Sequence, residues 1–200
     1  MDNYQHVKSF YKSRYYTFGN SIQSLGWNSS KEQLKRFEAL TKDFDKQLLK
    51  KESIVDFGCG LAHFLIWLQE KGYSNNYTGV DIIEEFLEQN RSRFPENQFL
   101  TSQNFFNNKK KYGFIFASGA FTIPWGQNHT EKIKSAIRKL FNKCIYGFSF
   151  NMLSFYSLFK NPQYCYFDPF AMDKYCDTLT SKHILDCNYL PGDFTICMWK

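Results

Sequence analysis

The sequence predicts one α/β domain across residues 1–200, built on an open, doubly wound, mostly parallel sheet of seven strands with an antiparallel C-terminal hairpin. Two observations favour this class. From Ile54 onward, short apolar runs typical of buried strands alternate with helical patterns, which is the order of parallel strands joined by crossover helices. Only residues 188–193 separate the last two strands, and so short a connection makes those strands antiparallel neighbours.

The N-terminal residues 1–51 are predicted to form a helical lid or cap on a core that spans residues 52–200. Ser30 and Gln33 have the spacing of a capping box, in which both side chains satisfy free amide groups at the start of a helix. Apolar residues then recur at helical spacing as far as Lys51, so we expect one continuous helix over this stretch.

The elements of the core follow in alternation, and two of its helices end at clear stop signals. Gly72 ends the first helix of the core and Pro95 ends the second. The strands are predicted at 54–56, 77–82, 99–101, 112–117, 145–150, 183–187 and 194–199. The helices are predicted at 61–71, 84–94, 133–141 and 169–179. A stretch rich in Phe and Tyr at 151–168 suits either a lid over a substrate or core packing at the sheet edge.

The most informative local pattern is a glycine turn between two strands that each end in a carboxylate. The first strand ends at Asp56 and turns through Gly58 and Gly60 into a helix, and the second strand ends at Asp81. Glycines let a ligand approach the backbone and carboxylates accept hydrogen bonds from ribose hydroxyls, so the pattern predicts a cofactor that contains a nucleoside. A dinucleotide would need a third glycine where this chain has His63, and a purely structural turn would leave the two carboxylates unexplained.

Residues 55–62 resemble the first motif of the class I S-adenosylmethionine-dependent methyltransferases, with Ala62 in place of the motif's last glycine. The resemblance extends from about Ser53 to the terminal hairpin. It implies a Rossmann-like methyltransferase fold with S-adenosyl-L-methionine as the cofactor. Segments at 25–37 and 189–195 look like those of a small bacterial subgroup whose substrates the resemblance does not identify.

The resemblance also implies which residues bind the cofactor. The backbone at Gly58, Cys59 and Gly60 would lie beside the methionine portion, with Asp56 near its amino group. Asp81, followed by Ile82, would bind the ribose. Gln103 or Asn104 would reach the adenine, with Phe105 against the ring, and Ala117 and Ser118 would lie beside the transferable methyl.

Two residues before the core have more open roles. The carboxylate of the cofactor needs a cationic or amide partner, and Arg36 or Gln33 on the capped helix could supply it. The alternative for Arg36 is an exposed side chain on an amphipathic helix. Trp27 would cover the pocket or, alternatively, anchor the turn that precedes the helix.

The expected activity is in-line methyl transfer to a small-molecule acceptor. A sulfonium already activates its methyl group, so transfer mainly requires alignment, and a general base is optional. The pattern therefore identifies no catalytic residue. The alternatives are an RNA or protein methyltransferase, a non-catalytic cofactor-binding subunit of a complex, and an NAD-dependent oxidoreductase.

Composition narrows the range of partners and cellular compartments. The net charge of +6 is not gathered into a long basic tract, so nucleic acid is a possible but unsupported partner. The six cysteines form no Cys-x-x-Cys pair, which predicts free thiols in a reducing compartment and no metal site. Since no apolar run has the length of a signal core or a membrane span, we expect a cytoplasmic protein without a membrane partner. The sequence does not predict the oligomeric state.

Overall fold

The computed structural model describes residues 4–27, 29–73 and 76–200. Its sheet has seven strands: β1 (Ile54–Phe57), β2 (Tyr77–Asp81), β3 (Gln98–Thr101), β4 (Tyr112–Ala117), β5 (Cys144–Leu153), β6 (His183–Asp186) and β7 (Asp193–Trp199). The order across the sheet is β3-β2-β1-β4-β5-β7-β6, with β1 to β5 parallel and β7 antiparallel to both of its neighbours. The predicted fold class, including the terminal hairpin, is therefore confirmed.

The helices are α1 (Gln5–Phe18), α2 (Ser30–Thr41), α3 (Lys46–Lys51), α4 (His63–Glu70), α5 (Glu84–Arg93), α6 (Ser102–Asn107), α7 (His129–Lys143) and α8 (Pro169–Asp177), with a short 3-10 helix at Ile22–Leu25. Helices cover both faces of the sheet, so its central strands are apolar on both sides. In β4, Ile115 joins a core cluster with Ile133 of α7, whereas its neighbour Phe116 joins a second cluster with Leu40 of α2. None of the helices in the described ranges combines the length and apolarity that a bilayer crossing requires.

The prediction of one continuous helix up to Lys51 is wrong, because a second helix cap interrupts it. The Asp45 carboxylate accepts hydrogen bonds from the backbone N–H groups of Gln47 and Leu48, at 2.7 and 3.2 Å, and so starts α3. The cap of α2 is Ser29, one residue before the predicted Ser30, and its hydroxyl accepts from the Glu32 amide.

The helix α1 crosses the carboxyl edge of the sheet, where parallel α/β sheets bind ligands. Near its start, Tyr4 packs edge-on against Trp125 in the connection after β4, with ring centroids 5.2 Å apart. Near its end, Tyr15 packs against Phe86 of α5 at 5.3 Å. The ion pair between Lys12 and Glu85, at 2.6 Å, reinforces this second contact. The helix thus spans from the connection after β4 to the helix after β2.

The aromatic stretch at 151–168 contains both buried and exposed residues. Its first residues extend β5 to Leu153, and Cys165 and Phe167 are buried in the core. Phe155 and Phe159, by contrast, are exposed to solvent. Part of the stretch therefore belongs to the core, and the residues around Phe155 and Phe159 do not.

Candidate functional site

A cavity of about 640 Å³ lies at the carboxyl edge of the sheet beneath α1. Its volume falls in the range of small-molecule and cofactor sites. Of the residues predicted to bind a cofactor, the cavity is lined by Trp27, Gln33, Asp56, Gly58, Cys59, Gly60, Asp81, Ile82, Gln103 and Ser118. The fold thus brings together ten residues that are spread over about ninety positions of the sequence.

The turn after β1 forms one wall of the cavity. Gly58 and Gly60 have φ angles of +82° and +50°, which favour glycine. The N–H groups of Gly58 and Cys59 both donate to the carbonyl oxygen of Val80, at 2.7 and 3.0 Å, so the turn is fixed to β2. A Cβ atom on Gly58 would lie only 2.8 Å from the Cβ of Ala120, so the turn and the loop after β4 approach closely because Gly58 has no side chain.

Ala62 occupies the position where the motif's last glycine would stand. Its φ is +58°, in the left-handed region that L-amino acids adopt only at some cost. The alanine therefore keeps a backbone conformation suited to glycine, and α4 begins directly after it.

Asp81 links the glycine turn after β1 to the residues that follow β2. One carboxylate oxygen accepts from the amides of Ile82 and Ile83, at 2.7 and 2.9 Å, and the other accepts from the Gly60 amide at 2.8 Å. Burial raises the pKa of Asp81, and these three backbone donors oppose that rise. Because a carboxylate offers about four acceptor sites, the group can still accept from a ligand in the cavity.

Asp56 is buried beside the same turn. Its carboxylate accepts from the Tyr77 hydroxyl at 2.8 Å. Burial raises the pKa of Asp56 to about 7; the Tyr77 hydrogen bond lowers it and the charge of Asp81 adds to the rise. A buried carboxylate with this pKa would be stabilised in its charged form by a cationic group in the cavity.

Three polar side chains that the sequence pattern does not assign to the site support or line it. Asn90 of α5 is buried and donates to the Gly60 carbonyl at 2.7 Å; its one signal in the sequence is a polar residue on an otherwise apolar helix face. His63 and Tyr11 both line the cavity. The His63 ring contacts the Gln33 amide oxygen, with 3.3 Å between Nδ1 and Oε1, and burial lowers the pKa of His63.

The residues after β3 form the helix α6, which changes the predicted adenine contacts. Thr101 caps this helix by accepting from the Asn104 amide, and helical spacing then places Gln103 and Phe106 at the cavity. Asn104 points to solvent. The prediction of Phe105 against a ligand ring is wrong in this structure, because Phe105 faces the core and packs on Tyr112 at 5.5 Å.

Arg36 lies outside the lining of the large cavity. Its Nη2 is 2.5 Å from a carboxylate oxygen of Asp193, and its guanidinium stacks on Trp27 at 4.3 Å. The alternative of an exposed Arg36 is wrong, since the residue is only 8% exposed. Trp27 itself lines the cavity and packs on Gly119, where an added Cβ would lie 2.9 Å from the indole.

The end of β4 places one of its two predicted residues at the cavity. Ser118 lines it, whereas Ala117 is fully buried within the sheet. The Gly119 amide donates to the side-chain oxygen of Asn151 on β5, at 2.9 Å, which fixes the loop. Within the described residues, no group of three or more His, Cys, Asp or Glu side chains is placed to hold a metal ion.

Comparison with known proteins gives consistent matches. A family model described as a methyltransferase domain matches residues 31–123. Over 158 residues the chain is 30% identical to Rv1506c of Mycobacterium tuberculosis, whose name assigns it provisionally to the methyltransferases. That match covers 74% of this chain and 93% of the relative.

Solved structures share the fold at low sequence identity. The magnesium protoporphyrin IX methyltransferase ChlM of Synechocystis PCC 6803, with bound SAH, has a TM-score of 0.66 at 14% identity, covering 97% of this chain and 98% of that one. DhpI in complex with SAH has a TM-score of 0.66 at 13% identity, and the match covers 94% of this chain and 92% of DhpI. At these sequence identities the similarity shows a shared fold.

Proposed function

The chain belongs to the class I S-adenosylmethionine-dependent methyltransferases, and from this membership we propose that it transfers a methyl group from S-adenosyl-L-methionine to a small-molecule acceptor. One observation carries the proposal. The glycine turn at 58–60 and the buried carboxylate of Asp81 meet on the wall of one cavity, joined by the hydrogen bond from the Gly60 amide.

The proposed cofactor contacts run along this wall. Asp81 accepts from the ribose hydroxyls, and the backbone of 58–60 lies beside the methionine portion. Asp56 faces the cofactor's ammonium group, whose charge suits a buried carboxylate. Gln103, with Phe106 in the role expected of Phe105, contacts the adenine end.

Methyl transfer needs alignment more than proton chemistry. Bound S-adenosylmethionine supplies a methyl group already activated by its sulfonium. The residues of this chain hold the reacting atoms in line, which is worth on the order of 7–11 kcal/mol. Burial raises the pKa of Tyr11, so its hydroxyl stays protonated and orients a ligand rather than acting as a base.

Two features support a small acceptor. The helix α1 lies over part of the cavity and, together with Tyr4 directly before it, contributes Val7, Lys8 and Tyr11 to the lining, so these side chains narrow the space left for an acceptor. The fold neighbour ChlM is named for a small-molecule substrate, magnesium protoporphyrin IX. In this proposal residues 52–200 bind the cofactor, and the described part of 1–51 forms the cap.

Transfer of a radiolabelled methyl group tests the proposal. The chain is incubated with labelled S-adenosylmethionine and an extract of the encoding organism, separated into low-molecular-weight, RNA and protein fractions. We expect the label in the low-molecular-weight fraction. Label in RNA or protein would contradict the acceptor class, and cofactor binding without transfer to any fraction would favour a non-catalytic binding subunit.

The variant Asp81→Ala tests the cofactor contact separately. We expect weaker S-adenosylmethionine binding by about 1–3 kcal/mol in calorimetry, because ribose donors lose their acceptor. Asp81→Asn, which keeps one acceptor oxygen, should lose less, and the exposed Asp177→Ala should bind normally. Normal binding by Asp81→Ala would remove Asp81 from the site.

A further inference from the structure

A smaller pocket of about 130 Å³ adjoins the large cavity, and we call it the aromatic pocket. Trp27 and Gly119 line both spaces and form the wall between them. Gly119 directly follows Ser118, which we expect beside the transferable methyl group. The aromatic pocket is far smaller than a site for a whole drug-sized ligand, so it suits one functional group of an acceptor.

The walls of the aromatic pocket are rich in rings. Phe10, Tyr11, Trp27 and Tyr164 all line it. The ring of Phe10 packs edge-on against both Tyr11 and Tyr164, with centroids 5.2 and 6.3 Å away, so three of the rings form one group. The hydroxyl of Tyr164 donates to the Gly26 carbonyl at 3.5 Å, which leaves the lone pairs of its oxygen for an N–H donor. The face of an aromatic ring attracts a cation, and proteins bind ammonium groups within such groups of rings.

The charges at the aromatic pocket also favour a cation. Its lining contains one arginine, Arg36, which is paired with the buried Asp193 at 2.5 Å. Glu32 lines the pocket at an exposed position. Burial raises the pKa of Asp193 to about 6, Arg36 opposes that rise, and the charge of Glu32 adds to it, so the two carboxylates lie near each other. One cation against two carboxylates leaves this region with a net negative charge.

The nearby guanidinium groups leave most of the rings open to a ligand. Arg14 lies 5.5 Å from the Phe10 ring centroid and donates to the Gln23 carbonyl, and it is not part of the pocket lining. Arg36 covers Trp27, with 4.3 Å between the guanidinium carbon and the centroid of the indole. The other three rings of the lining therefore remain for a bound cation.

Resting on the proposed function, we infer that the aromatic pocket binds an alkylammonium group of the methyl acceptor, which makes the acceptor a small molecule that carries an amine. The three open rings contact the cation, and Glu32 balances its charge at the rim. The group is held beside Trp27 and Gly119, so the rest of the acceptor extends toward the space proposed for the cofactor. The ammonium group is an anchor here, and the atom that receives the methyl group is a different one.

Binding of cations and their neutral isosteres tests the inference. Choline and ethanolammonium are titrated by calorimetry into the chain saturated with S-adenosylhomocysteine, which keeps both cations away from Asp56. Each is compared with the alcohol that has carbon in place of its nitrogen, namely 3,3-dimethyl-1-butanol for choline and n-propanol for ethanolammonium. We expect at least one cation to bind, and to bind at least about tenfold more tightly than its alcohol. Failure of both cations to bind, or a smaller advantage in both pairs, overturns the inference.

Two variants locate the binding, and neither changes a residue that lines the large cavity. Tyr164→Leu keeps an apolar side chain but removes a ring, and should weaken the cation about tenfold. Glu32→Gln removes the charge at the rim, and should weaken the cation about threefold. Tyr16→Leu and Glu38→Gln make the same changes at exposed positions outside the pocket and should bind the cation normally. Unchanged cation affinity in either Tyr164→Leu or Glu32→Gln overturns the inference.

The same titrations separate this inference from the proposed function. If the unmodified chain binds no S-adenosylhomocysteine, the proposed function fails, and the inference fails with it. If S-adenosylhomocysteine binds but neither cation does, the inference fails while the function stands. Both variants should bind S-adenosylhomocysteine normally, and Glu32→Gln carries the test alone if Tyr164→Leu does not fold, because Glu32 is exposed. A cation that displaces S-adenosylhomocysteine occupies the cofactor space, and this result also overturns the inference.

Discussion

Asp56 combines burial with a position facing the proposed ammonium group. Its hydrogen bond from Tyr77 satisfies only part of the carboxylate, and burial holds its pKa near 7. The group is therefore mostly protonated below that pH and mostly ionised above it. Because only the ionised form attracts an ammonium group, the protonation of Asp56 is linked to cofactor binding.

This linkage predicts a pH dependence. The affinity for S-adenosylhomocysteine should rise about tenfold between pH 6 and pH 8, as Asp56 loses its proton. Methylthioadenosine, which has no amino group, should show no such rise, and Asp56→Asn should abolish it for S-adenosylhomocysteine. Calorimetry at the two pH values measures both ligands, and an equal rise for both would exclude Asp56 as its source.

At the scale of single residues, the sequence predicts the motif better than its surroundings. Asp56, Gly58 and Asp81 follow from local spacing, because the ends of adjacent parallel strands must meet at one edge. Arg36 does not, because its partner Asp193 lies on β7, far along the chain. Phe106 lines the cavity in place of the predicted Phe105, because the residues after β3 form a helix, in which neighbours point in different directions.

At the scale of elements, the break between α2 and α3 depends on one cap. The apolar spacing alone continues through the break, so periodicity predicts a single helix. Asp45 instead accepts two backbone N–H groups and starts a new helix that buries Leu49. Apolar periodicity alone therefore does not reveal a helix cap that lies inside the periodic stretch.

Removal of this cap should reduce stability. Asp45→Ala is expected to lower the free energy of unfolding by about 1 kcal/mol, since two amide groups lose their acceptor. Asp43→Ala, an exposed aspartate two residues earlier, should change it much less. Denaturant unfolding of the two variants measures the difference, and equal effects would contradict the assignment of Asp45 as a cap.

At the scale of the whole molecule, the parallel arrangement of β1 to β5 follows from the alternation of strands and helices, whereas the cap over the cavity does not. The helix α1 is tied to α5 by contacts such as the hydrogen bond from the Tyr15 hydroxyl to Gln89, across 74 residues of sequence. No local pattern predicts a contact at that separation. The acceptor side of the site depends on such contacts, which is why the sequence identifies the cofactor class more clearly than the acceptor.

The most direct test of the account is calorimetric titration of S-adenosylhomocysteine into the unmodified chain, Gly58→Ala and Gly72→Ala. Both glycines have positive φ, but an added Cβ meets Ala120 at 2.8 Å on Gly58 and open space on Gly72. We predict one site in the unmodified chain, normal affinity in Gly72→Ala and marked weakening in Gly58→Ala. Absence of binding to the unmodified chain, or equal affinity in all three proteins, would contradict a cofactor site at this turn.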